Sequence, residues 1–109
     1  MVGIDAFAQL DMRVGRIVEV EDHPTSRKPM YKLTVDFGPE IGKRTIIAGI
    51  KVRYSKEELE GRKVVCVVNL DPKQIAGIES QGMLLAAGEI ENLSILIPDR
   101  EIEDGARVH

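Results

Sequence analysis

The chain has 109 residues, 43% of them hydrophobic and 30% charged, with a formal net charge of −3. That length holds one hydrophobic core and leaves no room for a second, and no run approaches the roughly 18 apolar residues of a membrane-crossing helix. An acidic total excludes a chain that adheres generically to polyanions.

The total hides an asymmetry. Residues 1–22 carry a net charge of −3 and residues 57–109 a net of −6. Residues 23–56 carry +6, with eight basic side chains (Arg27, Lys28, Lys32, Lys43, Arg44, Lys51, Arg53, Lys56) against Asp36 and Glu40. Such a segment either builds one local anion-binding face or scatters its charges over several faces once folded. The start, Met1-Val2-Gly3-Ile4-Asp5, lacks the charged-then-apolar pattern of a secretory leader, so the cytoplasm is the expected compartment. The lone Cys66 lies in the run Val64-Val65-Cys66-Val67-Val68. It reads as a small buried hydrophobe, because a reactive thiolate needs a basic, partly exposed setting.

Ile4, Phe7 and Ala8 share a helical face, which predicts a short helix over 4–10. The first strand is expected over 12–21, with Met12, Val14, Val18 and Val20 on one face. Arg16 interrupts that face, and Gly15 beside the fault marks a bulge or bend. A loop with Pro24 and Pro29 follows, then a strand over 31–37 and a third over 44–48. Ser55 and Glu58 form a capping box, with Gly61 as the stop of a single helical turn. A fourth strand is expected over 63–70, a loop over 71–80, a fifth strand over 83–87 and a short strand over 93–97. Three strands, a short helix and two more strands is the order of an all-β, five-stranded OB-fold barrel. The tail after Glu89 reads as an apolar extension that completes a dimer interface.

No catalytic or cofactor-binding constellation stands out. Zinc needs two or more Cys or His at short spacing, and the only candidates are Cys66, His23 and His109. His23, after Glu21 and Asp22, reads as a solvated acidic strand end rather than an oxygen-rich metal site. There is no nucleophile elbow, no phosphate loop and no dinucleotide fingerprint. The expectation is a binding module without catalysis and without a cofactor. Arg27, Lys28, Lys32 and Lys73 are placed to meet on one barrel face, and lysine and arginine supply most phosphate attraction. Asn69 and Gln81 both donate and accept hydrogen bonds, as readers of base edges must.

Three segments read together are more specific. They are Asp11-Met12-Arg13-Val14-Gly15-Arg16-Ile17, Tyr31-Lys32-Leu33-Thr34-Val35-Asp36-Phe37-Gly38, and Val68-Asn69-Leu70-Asp71-Pro72-Lys73 with Gly77-Ile78-Glu79-Ser80-Gln81-Gly82-Met83 after it. In this order they resemble the tRNA-binding OB domain at the C-terminus of methionyl-tRNA synthetases. Stand-alone relatives are dimeric tRNA-binding proteins and CsaA-type secretion chaperones. The resemblance runs from about Phe7 to Val108. It implies a homodimer that binds tRNA by shape and backbone charge, alone or in trans with an aminoacyl-tRNA synthetase. Carried over residue by residue are Lys28, Asn69, Lys73, Ser80 and Met83, with Arg13 as a structural member. With the basic-segment residues added, the expected tRNA-binding set is Arg27, Lys28, Lys32, Arg44, Arg53, Asn69, Lys73, Ser80, Gln81 and Met83.

One departure separates the branches. The tRNA-binding branch usually has Ser-x-Lys-Leu before the second strand, whereas here Pro29 follows Lys28. The run Arg27-Lys28-Pro29-Met30-Tyr31-Lys32-Leu33 is similar to the CsaA branch, while Asn69-Leu70 and Glu79-Ser80-Gln81-Gly82-Met83 are similar to the tRNA-binding one. The alternative function is therefore a chaperone of unfolded polypeptides, with Met12, Met30 and Met83 lining an apolar groove.

Overall fold

An 11-residue strand, β1 (Met12–Asp22), organises the molecule, which the computed structural model describes over residues 1–109. Its first half pairs with β4 (Lys63–Val67), from Met12 opposite Val67 to Arg16 opposite Lys63. Its second half pairs on the other edge with β2 (Tyr31–Asp36). β2 pairs in turn with β3 (Lys43–Ala48), and β4 with the short strand β7 (Met83–Leu84). The resulting antiparallel sheet has the order β3-β2-β1-β4-β7. Gln81 nearly closes it, donating its backbone N–H to the Thr45 carbonyl of β3 at 2.8 Å. The architecture is the expected five-stranded barrel. No helix is long and apolar enough to cross a membrane.

The core is aliphatic, as so few aromatics require. Ile17, Leu33, Val35, Phe37, Ile46, Leu59, Val64 and Cys66 are all fully buried. Burying each large aliphatic side chain contributes roughly 1.5–3 kcal/mol. Burial also pushes the Cys66 thiol up to about 12, so it stays protonated and inert.

Two expectations for β1 are corrected. Val18, placed with the core residues from its alternation, lies outside the core, whereas Ile17 is fully buried. The register explains this: Ile17 and Glu19 face consecutive residues Val35 and Thr34, so Val18 is the extra residue of a bulge. The bulge therefore sits at Val18 and not at Gly15. Gly15 serves a different purpose, because a Cβ there would lie 2.6 Å from both the Phe37 ring and Val35. The absent side chain is what lets Phe37 lie across β1.

The helical turn forms as its caps dictate. α1 (Ile4–Ala8) opens the chain, α2 (Gly38–Ile41) links β2 to β3, and α3 (Lys56–Leu59) precedes β4. At α3, Ser55 Oγ accepts from the Glu58 N–H at 3.3 Å and Glu58 accepts from the Ser55 N–H at 2.7 Å. Leu59 is fully buried in the core cluster.

The later elements depart from expectation. β4 ends at Val67, three residues early, and Asn69 and Leu70 are exposed. The stretch 71–80, read as a loop, holds a hairpin of β5 (Lys73–Ile75) and β6 (Ile78–Ser80). Its turn residues, Ala76 and Gly77, both have positive φ (49° and 90°), the geometry that suits a two-residue hairpin. The strand expected over 83–87 splits into β7 and β8 (Ala86–Ala87), and β8 pairs with β9 (Ser94–Ile95) instead of β4. Tyr54 Oη accepts from the Ile95 N–H at 3.1 Å, fastening this second ribbon to the barrel. The tail returns to β1, where the Val108 N–H reaches Met12 and the Gly105 N–H reaches Val14.

Gly15→Ala is expected to lower stability by about 1–3 kcal/mol through overpacking against Phe37. Urea unfolding measures this, and an unchanged midpoint would mean that the Phe37 ring yields freely.

Candidate nucleic-acid interface

The outer face of β2 and β3 and the two loops beside it form one surface. Along β2, Tyr31, Leu33 and Val35 enter the core, so Lys32 and Thr34 point outward. Lys32 stands between Glu21 of β1 and Ile47 of β3 in a cross-strand row. Glu21 offsets part of its charge at that position. Ile47 lines a cleft of about 230 Å³ together with Lys73, Ile75, Ser80 and Met83. On the other side of Ile75 is a hollow of about 290 Å³ bordered by Ser26, Arg27, Lys28 and Met30. Lys28 and Met30 continue into a third hollow of about 360 Å³, with Val52 and Ile90 on its far wall. The three hollows share Ile75 and then Lys28 and Met30, so they adjoin one another from Met83 to Ile90, lined by apolar residues with Lys73, Arg27 and Lys28 and with one acid, Asp71.

The structure divides the sequence-predicted residues into two groups. Arg27, Lys28, Lys32, Lys73 and Met83 lie along this surface, with Met83 nearly half exposed. The other five make hydrogen bonds within the chain, with Arg53 and Asn69 still exposed. Arg44 donates to the carbonyls of Val68 and Gln81. Arg53 donates to the Leu93 carbonyl at 3.1 Å. Asn69 accepts from the Asp11 N–H and donates to Gln9, both at 2.7 Å, tying the end of α1 to the barrel. Ser80 is buried, accepting from the Ile47 N–H at 3.0 Å, and the Gln81 side chain accepts from the Thr45 N–H at 2.9 Å. Arg13, the expected structural member, is held by Asp11 and Glu40, whose hydrogen bonds raise its pKa, and it also donates to the Gly105 carbonyl.

The basic middle segment is therefore partly spent. Lys51 and Lys56 both grip Asp22, at 2.9 and 3.2 Å, and their hydrogen bonds hold its carboxyl below the usual range. Aromatic stacking surface is missing as well. Tyr31 and Phe37 are buried, and Tyr31 Oη donates to the Tyr54 carbonyl at 2.8 Å. Phe7 belongs to a separate hollow shared with Ile4, Leu10 and Val108.

His23 is the residue that sequence reasoning placed wrongly. Expected as a solvated strand end, it is only 7% exposed, because the β5–β6 hairpin folds over it. A contact made across 52 residues of sequence leaves no local signal.

A family model described as "Putative tRNA binding domain" matches residues 12–107. The chain belongs to that family. The methionine–tRNA ligase of Pyrococcus horikoshii is 50% identical over 107 residues, which is 98% of this chain and 14% of the ligase. The chain thus spans about one seventh of that relative, and the matched part is this binding domain. Among solved structures, the chaperone CsaA of Bacillus anthracis superposes with a TM-score of 0.93 at 34% identity, covering 100% of this chain and 99% of CsaA. A MetRS-related protein from Pyrococcus horikoshii superposes at 0.89 with 39% identity, covering 100% and 98%. A tRNA-binding domain homologous to part of methionyl-tRNA synthetase thus shares its whole fold with a chaperone.

Arg44→Met removes a charged donor from two part-buried carbonyls and is expected to destabilise by about 1.5–3 kcal/mol. Urea unfolding checks this, and wild-type stability would remove the structural role assigned to Arg44.

Proposed function

We propose that this chain is a single, non-catalytic tRNA-binding domain that recognises tRNA by backbone charge and shape, acting in the cytoplasm. The observation that carries the reading is the clustering of Arg27, Lys28, Lys32 and Lys73 on one face while Arg44, Lys51, Arg53 and Lys56 are paired within the chain. Loops beside the second and third strands are where OB-folds commonly take oligonucleotides. With no exposed aromatic side chain on the face, the roughly 1–3 kcal/mol per base that stacking supplies elsewhere is unavailable. Affinity then rests on phosphate contacts and falls steeply with salt. The domain serves alone or delivers tRNA in trans to an aminoacyl-tRNA synthetase.

The chain acts as a homodimer through α1 and the tail. α1 has five residues, none of them buried, and Ile4 is 77% exposed. So short a helix has no stability of its own, and its apolar residues border a hollow with Val108. A second copy covers this face. Sedimentation is expected to give twice the chain mass, and Phe7→Asp to give a monomer; a wild-type monomer would end this reading.

A chaperone reading has one observation in its favour. The hollow beside Met30, Val52 and Ile90 offers apolar surface to an unfolded polypeptide, and the superposed CsaA is described as a chaperone. Met12, also expected in the groove, is buried instead, so the Met-lined groove is incomplete.

Titration with bulk tRNA at two salt concentrations, with an unfolded polypeptide in parallel, separates the two. Salt-sensitive tRNA binding alone supports the tRNA reading, and polypeptide binding alone supports the chaperone. Changing Lys32 and Lys73 together to Glu is expected to abolish tRNA binding with the unfolding midpoint kept. Neutral replacements at both positions are expected to reduce the salt slope by about two. Unchanged affinity in the double Glu variant would sink the site assignment.

A further inference from the structure

The β5–β6 hairpin carries Lys73 on one side of the face, and the loop 23–30 carries Arg27 and Lys28 on the other. Three residue pairs do not hold a hairpin in place by themselves. Its base is anchored through Ser80, whose Oγ accepts from Ile47 and donates to the Gly82 carbonyl. Its tip is anchored by two side chains only. Nδ1 of His23 accepts the N–H groups of Thr25 (3.2 Å) and Ser26 (3.1 Å). An accepting Nδ1 leaves the ring proton on Nε2, which donates to the Ile75 carbonyl at 2.8 Å. Thr25 Oγ1 donates to the next carbonyl, that of Ala76, at 2.7 Å. These two bonds are the tip's only hydrogen bonds outside its own ladder.

We infer that His23 and Thr25 form a two-pronged latch, which fixes the hairpin against the loop and so sets the spacing between Lys73 and the Arg27–Lys28 pair. Phosphates along a nucleic-acid strand are regularly spaced, so cations on separate loops contribute together only when their separation is held. His23 is buried and acts through the hairpin; both are positioning residues. The coupling to binding rests on the tRNA reading above, while the latch itself does not.

The test compares wild type with His23→Asn, Thr25→Val and Thr25→Ser by amide hydrogen exchange and by bulk-tRNA affinity at two salt concentrations. His23→Asn keeps an acceptor for the Thr25 and Ser26 amides but no longer reaches Ile75. In His23→Asn and Thr25→Val, hairpin amides are expected to exchange about fivefold faster or more, with β1–β4 amides unchanged. Affinity for tRNA falls severalfold at an unchanged salt slope, because no cation is removed. Thr25→Ser restores the donor and behaves as wild type. The latch is overturned by unchanged hairpin exchange, by acceleration spread evenly over the barrel, or by Thr25→Ser matching Thr25→Val. Faster hairpin exchange with wild-type affinity overturns the coupling to binding. If wild type binds no tRNA, the proposed function fails and the exchange data still decide the latch. Should His23→Asn not fold, the exposed Thr25 pair carries the comparison.

Discussion

Everything in this fold depends on one strand using both of its edges. β1 gives its first half to β4 and its second half to β2. The tail then covers the edge that residues 12–14 leave open. Changing partners along a single strand requires it to turn, and the extra residue Val18 supplies that turn. The turn in turn requires something to fill the inside of the bend. Phe37 fills it by lying over Gly15, where any Cβ would collide with the ring. Without that close approach the two halves of the sheet could not share one core.

The binding face follows from how the barrel closes. Bringing β3 near β7 leaves backbone groups without strand partners, and buried groups of that kind must be satisfied. Arg44, Ser80 and Gln81 satisfy them. Those polar side chains are thereby withdrawn from the surface, while Arg27, Lys28, Lys32 and Lys73 remain outside. An acidic protein can thus present a locally basic surface. Some of its carboxylates are engaged elsewhere, Asp22 by Lys51 and Lys56 and Asp104 by Arg16 and Lys63, while Glu21 stays on the face opposite Lys32. Lys63 pairs with Glu101 at 2.8 Å, a hydrogen bond that raises the lysine's pKa, so the acidic tail is tied to the barrel.

The strands that read clearly were those with one buried face. Residues 31–36 alternate without a fault because the register is regular, and the Ser55–Glu58 box is satisfied within four residues. Where sequence reading failed, the cause lay far along the chain. The hairpin at 73–80 leaves little local signal because its strands are three residues long and only Ser80 of the six is buried, with Ala rather than Asn or Asp at the first turn position. The segment 83–87 looked like one strand, but its two ends pair with different partners, and no local pattern records that change.

For the candidate site, the sequence alone was enough to select the residue types and the segments. It placed a surplus of cations at 23–56, put Lys28 and Lys73 in recognisable runs, and offered few aromatics for stacking. The tertiary structure decided which of those side chains remain available. Arg44 and Arg53 look no different from Lys32 in the sequence, yet both end on backbone carbonyls. Asn69 and Gln81, read as donors and acceptors for bases, fasten α1 and β3 instead. The physical reason is that hydrogen-bonding capacity belongs to the residue, whereas its partner is set by chain closure between segments tens of residues apart.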